Sequence, residues 1–278
     1  VLAVLIYLLI LFLLGWVVVT ILASDLSLLE RVGLAFGCGA GVFTFGVFLS
    51  AFFGLAINLG TGSVIALGLL VAGVVVLGRL QRDWRVPISS FPRLSALEAI
   101  VISVIAVIII AAFLRALYWQ PYAWDALSSW LLKGKLIAGT GTLELLKETE
   151  GAFYPLNLSL QTTYIYLLDG RLVQIVFPIY LLSLAPVFFA NLEQFTTRLI
   201  ALICTLFLIV TPYLFSLSNI GYTNVLFAFY YAASGIYLYK YLQNRKISAL
   251  VISGVLLGLA GWTRWEAPLY FAINLLVL

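Results

Sequence analysis

Between Tyr122 and Lys135 the chain reads Tyr-Ala-Trp-Asp-Ala-Leu-Ser-Ser-Trp-Leu-Leu-Lys-Gly-Lys. Asp125 therefore stands between Trp124 and Trp130, just after a long apolar run, with Lys133 and Lys135 two turns further on. Those residue types can do chemistry at a membrane surface. A carboxylate held at headgroup depth can act as a general base toward a hydroxyl, and two ammonium groups beside it can hold a phosphate. Each has a plainer use as well. Asp125 can cap a helix start, where the helix dipole favours its anionic form, and the lysines can snorkel toward lipid phosphates.

Four further features belong with this segment. Tyr154-Pro155 opens a second short apolar piece, as proline suits a first helical turn. Asn157 and Gln161 follow one helical turn apart and could hydrogen-bond a sugar. Arg171 opens the next apolar run; it can face a phosphate or pair with Asp169. Arg264 and Glu266 sit in Gly261-Trp-Thr-Arg-Trp-Glu-Ala-Pro268, either as a surface ion pair in an aromatic belt or as part of a site.

The elements that must position these residues are membrane spans. The chain is 64% hydrophobic and only 9% charged over 278 residues, with a mean hydropathy of +1.16. Runs of about twenty apolar residues recur, each long enough to cross a bilayer as a helix. The expected fold is an all-α polytopic integral membrane protein. About nine spans are expected in a single transmembrane domain over residues 1–278. They lie near 1–22, 33–56, 60–79, 98–118, 172–190, 197–217, 222–241, 247–262 and from 267 onward. The absence of Met, with apolar runs at both ends, reads as a piece of a longer protein. His is absent too, which removes the usual metal ligand and general base. Cys38 and Cys204 lie inside spans and read as packing residues. Gly33, Gly37 and Gly41, and Gly254 with Gly258, read as small-residue ridges for helix packing.

Two loops are basic. One carries Arg79, Arg82, Arg85 and Arg93 against Asp83; the other carries Lys240, Arg245 and Lys246. The positive-inside rule places both in the cytoplasm, so the net charge of +4 reads as topology and not as nucleic-acid binding. An even number of crossings must separate them. The spans at 98–118, 172–190, 197–217 and 222–241 satisfy that, and a fifth at 155–168 would break it. That piece is also short, at ~21 Å against a hydrocarbon core of ~30 Å. It is expected to lie in the interface plane, within an extracytoplasmic loop over 119–171. Drawn as an α-helix, 125–138 puts Asp125, Ser128, Ser129, Lys133 and Lys135 on one face. Leu127, Trp130, Leu131, Ile137 and Ala138 fall on the other, the pattern of a second in-plane helix.

Taken in order, Trp124-Asp-Ala126, Trp130, Lys133-Gly-Lys135, Tyr154-Pro-Leu156, Gly221-Tyr-Thr-Asn224 and Thr263-Arg-Trp-Glu-Ala267 carry a family resemblance. The chain resembles the GT-C type membrane glycosyltransferases that use polyprenyl-phosphate sugars, the group that includes protein mannosyltransferases and aminoarabinose transferases. It is most similar to a prokaryotic branch with "WDA…W…KAK", "YPLL", "GYAD" and "TKNEG" elements. Asn224 stands where that branch has Asp, and Arg264, Trp265 and Ala267 where it has Lys, Asn and Gly.

The resemblance implies a GT-C-like helix bundle in the cell membrane with an extracytoplasmic active site. It implies sugar transfer from a polyprenyl-phosphate donor to a glycan, lipid or protein acceptor, with inversion. Asp125 would be the catalytic base. Arg171, Lys133, Lys135, Tyr154, Asn157, Asn224, Arg264 and Glu266 would bind substrate. No cofactor is required, and a divalent metal is compatible with the chemistry. Asp125 and Arg171 are expected to share one cavity with at least one of Lys133, Lys135, Arg264 or Glu266. A lipid or solute transporter and a non-catalytic assembly subunit are the alternatives. A transporter would place ionisable groups near the midplane, whereas the charges here gather at span ends.

Overall fold

The computed structural model describes residues 1–81 and 94–277. Arg82, Asp83, Arg85 and Arg93 of the first basic loop lie outside them. Every regular element among the described residues is helical. Helices α1 (Leu2–Leu22), α2 (Leu28–Phe52), α3 (Leu59–Arg79) and α4 (Ala96–Tyr118) come first. A π-helical turn, Ala126–Trp130, then runs into α5 (Leu131–Thr140). After α6 (Asn157–Asp169) a 3-10 turn, Gly170–Ile175, leads into α7 (Val176–Leu192). The chain ends through α8 (Arg198–Val210), α9 (Pro212–Leu217), α10 (Asn224–Asn244), α11 (Ile247–Thr263) and α12 (Ala267–Val277).

Five helical stretches are long and apolar enough to cross a membrane: α1, α2, α3, α4 and the continuous run Asn157–Leu192. The other expected spans correspond to helices that are shorter or, in α10, richer in tyrosine and polar groups. Local signals place the helix starts. Ser27 and Ser95 each accept from the amide three residues on, while Glu30 and Glu98 return a bond to the cap amide.

Glycine decides how closely the helices approach. A Cβ on Gly15 would lie 1.6 Å from the carbonyl oxygen of Ala35, and one on Gly39 would lie 1.8 Å from that of Leu11. Helices α1 and α2 therefore touch backbone to backbone, where dispersion contacts are densest. The ridge of Gly33, Gly37 and Gly41 meets three helices. Gly33 packs on Val187 and Pro186 of α7, Gly37 on Phe229 of α10, and Gly41 on Leu259 of α11. Helix α2 is the central post. Gly254 and Gly258 correct an expectation, because a Cβ on either would meet open space. They are not packing sites.

Ion pairs fasten one end of the bundle. Lys246 reaches Asp25 at 3.2 Å, joining the α1–α2 loop to the α10–α11 loop, and Lys240 of α10 reaches Glu30 of α2 at 2.6 Å. Arg79, at the end of α3, comes to this same end by alternation of the first three helices. The opposite end carries the Asp125 segment, the start of α10 and the end of α11.

Helix α6 is enclosed by other helices: residues Asn157 through Ile165 are all buried, against α1, α2, α5 and α11. Its Asn157, Ser159, Gln161, Thr162 and Thr163 side chains find partners inside the bundle, and the Tyr164 hydroxyl does not.

Candidate functional site

Three segments far apart in sequence meet at the end opposite the basic loops. The first is the Asp125 segment. Its π-helical turn carries one residue more per turn than an α-helix, which rotates every later side chain by about 100°. The residues buried along the segment are Ala126, Ser129, Trp130, Leu131, Lys133, Gly134 and Ile137. Lys133 was expected on a solvated face; it is fully buried instead. Its ammonium donates to the carbonyl of Gly151 and lies 5.6 Å from the Trp130 ring centre and 6.0 Å from that of Tyr154. Burial without a carboxylate partner pulls its pKa down to about 8. Gly134 lets α5 press on α6, since a Cβ there would lie 2.2 Å from the Thr162 hydroxyl. Lys135 and Asp125 are exposed, and the Asp125 carboxylate caps no amide and pairs with no cation among the described residues.

The second segment is the turn before α10. Gly221 has φ +83° and packs so closely that a Cβ would lie 2.9 Å from that of Ala126. The residue next to Asp125 thus rests on the turn that delivers Asn224. Only glycine meets both demands, a left-handed backbone and no side chain.

The third segment is the end of α11. Arg264 donates to Glu266 at 3.2 Å through Nε, and to Asn224 Oδ1 at 2.9 Å through Nη1. Its guanidinium carbon lies 6.0 Å from the Tyr154 ring centre. Tyr154 therefore stands between two cations, Lys133 and Arg264, and also packs on Trp130 at 4.5 Å. The hydrogen bonds from Arg264 hold the Glu266 carboxyl below the usual glutamate range. A cleft of about 370 Å³ opens beside the pair, lined by Asn224, Arg264, Glu266 and Thr211 on its polar side and by Leu214, Phe227 and Tyr270 among its apolar walls.

No family model, no curated protein and no solved structure matches this chain. Its own geometry is what sorts the candidates.

Lys133, Tyr154, Asn224, Arg264 and Glu266 are brought together, with Asp125 one residue from the Gly221 contact. Arg171 is not part of the group. It is 82% exposed and pairs with Asp169 at 2.9 Å, at the far end of α6 from Asn157. Neither Asp125 nor Arg171 lines the cleft at Arg264, so the single cavity expected for both is not found there. Asn157 is no sugar ligand in this arrangement. Fully buried, it accepts from Thr44 and Gln161 at 2.9 Å each and donates to Thr263 at 2.9 Å. Among the described residues no three His, Cys, Asp or Glu side chains group so as to hold a metal ion.

Sequence reasoning missed Thr44, and took Thr263 only as the first residue of a motif. Both look like ordinary helix residues, yet together they lock the backbone beside Arg264. Trp262 donates to Thr44 at 3.1 Å, and Thr263 accepts from Asn157. Nothing in their local sequence marks these contacts, because the partner residues lie more than a hundred positions away.

Proposed function

We propose that this chain is an integral-membrane glycosyltransferase of GT-C type, moving a sugar from a polyprenyl-phosphate donor to an acceptor hydroxyl at the extracytoplasmic face of the cell membrane. The observation that carries the reading is that Ala126, the residue after Asp125, rests on the Gly221 turn that delivers Asn224 to Arg264. A base for the acceptor and a cation for the leaving phosphate are thereby brought to one end of the bundle. The basic residues Arg79, Lys240, Arg245 and Lys246 gather at the other end, which supports an extracytoplasmic site.

The reaction balances as a direct displacement. The acceptor oxygen attacks the anomeric carbon, and its proton passes to Asp125. The bond from that carbon to the phosphate oxygen breaks, and polyprenyl phosphate departs with the electron pair. Arg264 stabilises the charge that develops on it. One displacement inverts the anomeric centre. Arg264 takes the role that the resemblance implied for Arg171, since Arg171 is engaged by Asp169 elsewhere. A divalent ion is not needed for any of these steps.

The test is transfer from a panel of radiolabelled polyprenyl-phosphate sugars, using membranes that contain the protein. Asp125→Asn should lower turnover by ~10² to 10⁴ while leaving folding intact, because that carboxylate holds nothing else in place. Arg264→Gln should lose most activity, and Arg171→Gln should keep most of it. Near-normal turnover in Asp125→Asn would remove the base from the mechanism.

A further inference from the structure

On the other flank of the bundle, α1 and α3 enclose a second groove of about 220 Å³. Ile6 and Leu11 of α1, Phe43 of α2, Ser63 and Ala66 of α3, and Tyr164 of α6 are among its lining. It shares no residue with the cleft at Arg264. Its walls are hydrocarbon apart from the hydroxyl-bearing Ser63, Tyr7 and Tyr164. The hydroxyl of Tyr164 is buried, belongs to a side chain only 2% exposed, and has no hydrogen-bond partner. Tyr7, on the same wall, is already committed, donating to the carbonyl of Gln161 at 3.3 Å.

An unpartnered phenol hydroxyl is costly in a hydrocarbon environment, where no bulk water can satisfy it. Whatever enters between α1 and α3 must therefore offer an acceptor. The depth of that acceptor is set by Gly62, the fourth residue of α3: a Cβ there would lie 2.6 Å from the Tyr164 hydroxyl. The hydroxyl thus stands at the level of the first turn of α3, about 5 Å below the helix start. In a bilayer that is the boundary between headgroups and acyl chains. Ester carbonyls of glycerolipids lie at this boundary. An isoprenyl chain presents no acceptor there.

We propose that this groove is a specific site for one diester glycerophospholipid. An acyl ester carbonyl would accept from Tyr164, and the chain below it would run past Ala66 and Leu11. Gly62 serves the site by leaving room for the Tyr164 ring. The site stands independently of the transfer reaction.

Purified protein in mild detergent is examined by native mass spectrometry with extraction of the retained lipid. The wild type should hold one glycerophospholipid. Tyr164→Phe should weaken retention by about fivefold, the worth of one hydrogen bond. Ser63→Phe should abolish it by filling the groove, and Leu67→Phe, on an exposed position of α3, should leave it unchanged. A second measurement needs only wild-type protein: diester phosphatidylcholine vesicles should raise its Tm more than diether phosphatidylcholine vesicles, which lack the carbonyl. Equal effects of the two lipids would overturn the proposal. So would full retention in Tyr164→Phe and Ser63→Phe, an isoprenyl lipid in place of the glycerolipid, or no retained lipid.

Discussion

Asp125 and Lys133 lie eight residues apart and have opposite environments. The carboxylate is exposed and has no side-chain partner among the described residues. The ammonium is fully buried in an aromatic box, with a backbone carbonyl as its hydrogen-bond partner. A buried cation without a counter-ion is destabilising, and its pKa of about 8 expresses that cost. The folded pKa lies below the ordinary lysine value, so the native state holds fewer protons than the unfolded chain between those two pH values. Stability rises with pH across that window, and the penalty is fully present below about 8. Lys133→Met should therefore gain relative to wild type near neutral pH, by about 1–3 kcal/mol, and lose that advantage as pH rises. Thermal melting of both proteins at pH 7.5 and at about pH 10 checks this; a pH-independent difference would show that Lys133 does not titrate there.

At the scale of elements, two contacts bring the three segments of the site together. One is the network through Asn157, which ties α6 to α2 and to the end of α11. Asn157→Leu keeps the volume but removes the donor to Thr263 and the acceptor for Thr44 and Gln161. We expect a loss of about 1–3 kcal/mol, with transfer falling further than folding because Arg264 follows Thr263. Melting and activity measured on one preparation separate the two effects. The other contact is Gly221 on Ala126. Gly221→Val combines a disfavoured left-handed backbone with a side-chain clash, and should cost about 2 kcal/mol or more. A tolerated valine, read by melting temperature, would mean that this turn does not seat the Asp125 segment. The burial of Lys133 belongs at this scale as well. The helix face it shares with Trp130 and Gly134 is covered by Gly151, Tyr154 and α6.

Across the whole molecule, α2 is the axis on which α1, α7, α10 and α11 pack, and glycine sets those distances. The prediction is a contrast between glycines that look alike in sequence. Gly39→Ala must force α1 away from α2 and should destabilise the protein by about 2 kcal/mol or more. Gly258→Ala meets open space and should be neutral or stabilising by up to about 1 kcal/mol. Melting temperatures in one detergent compare them directly. At the same scale, Asp25–Lys246 and Glu30–Lys240 hold the basic end closed, leaving the candidate site at the other end.

Composition and apolar periodicity alone determined that this is a helical chain with membrane-length spans. Hydropathy over twenty residues is a local property and needs no tertiary context. The segments bearing Asp125, Tyr154, Asn224 and Arg264 were legible for a related reason, as charge and aromatic residues are conspicuous in so apolar a chain. Tertiary structure decided the rest. Packing of the Trp130–Ile137 face on Tyr154 and α6 turned Lys133 inward, hydrogen bonds joined Asn157 to α2 and α11, and the run of α6 carried Arg171 away from Arg264. Each outcome depends on which distant groups come within hydrogen-bond or van der Waals reach. Those distances are properties of packed helices and have no trace in local sequence.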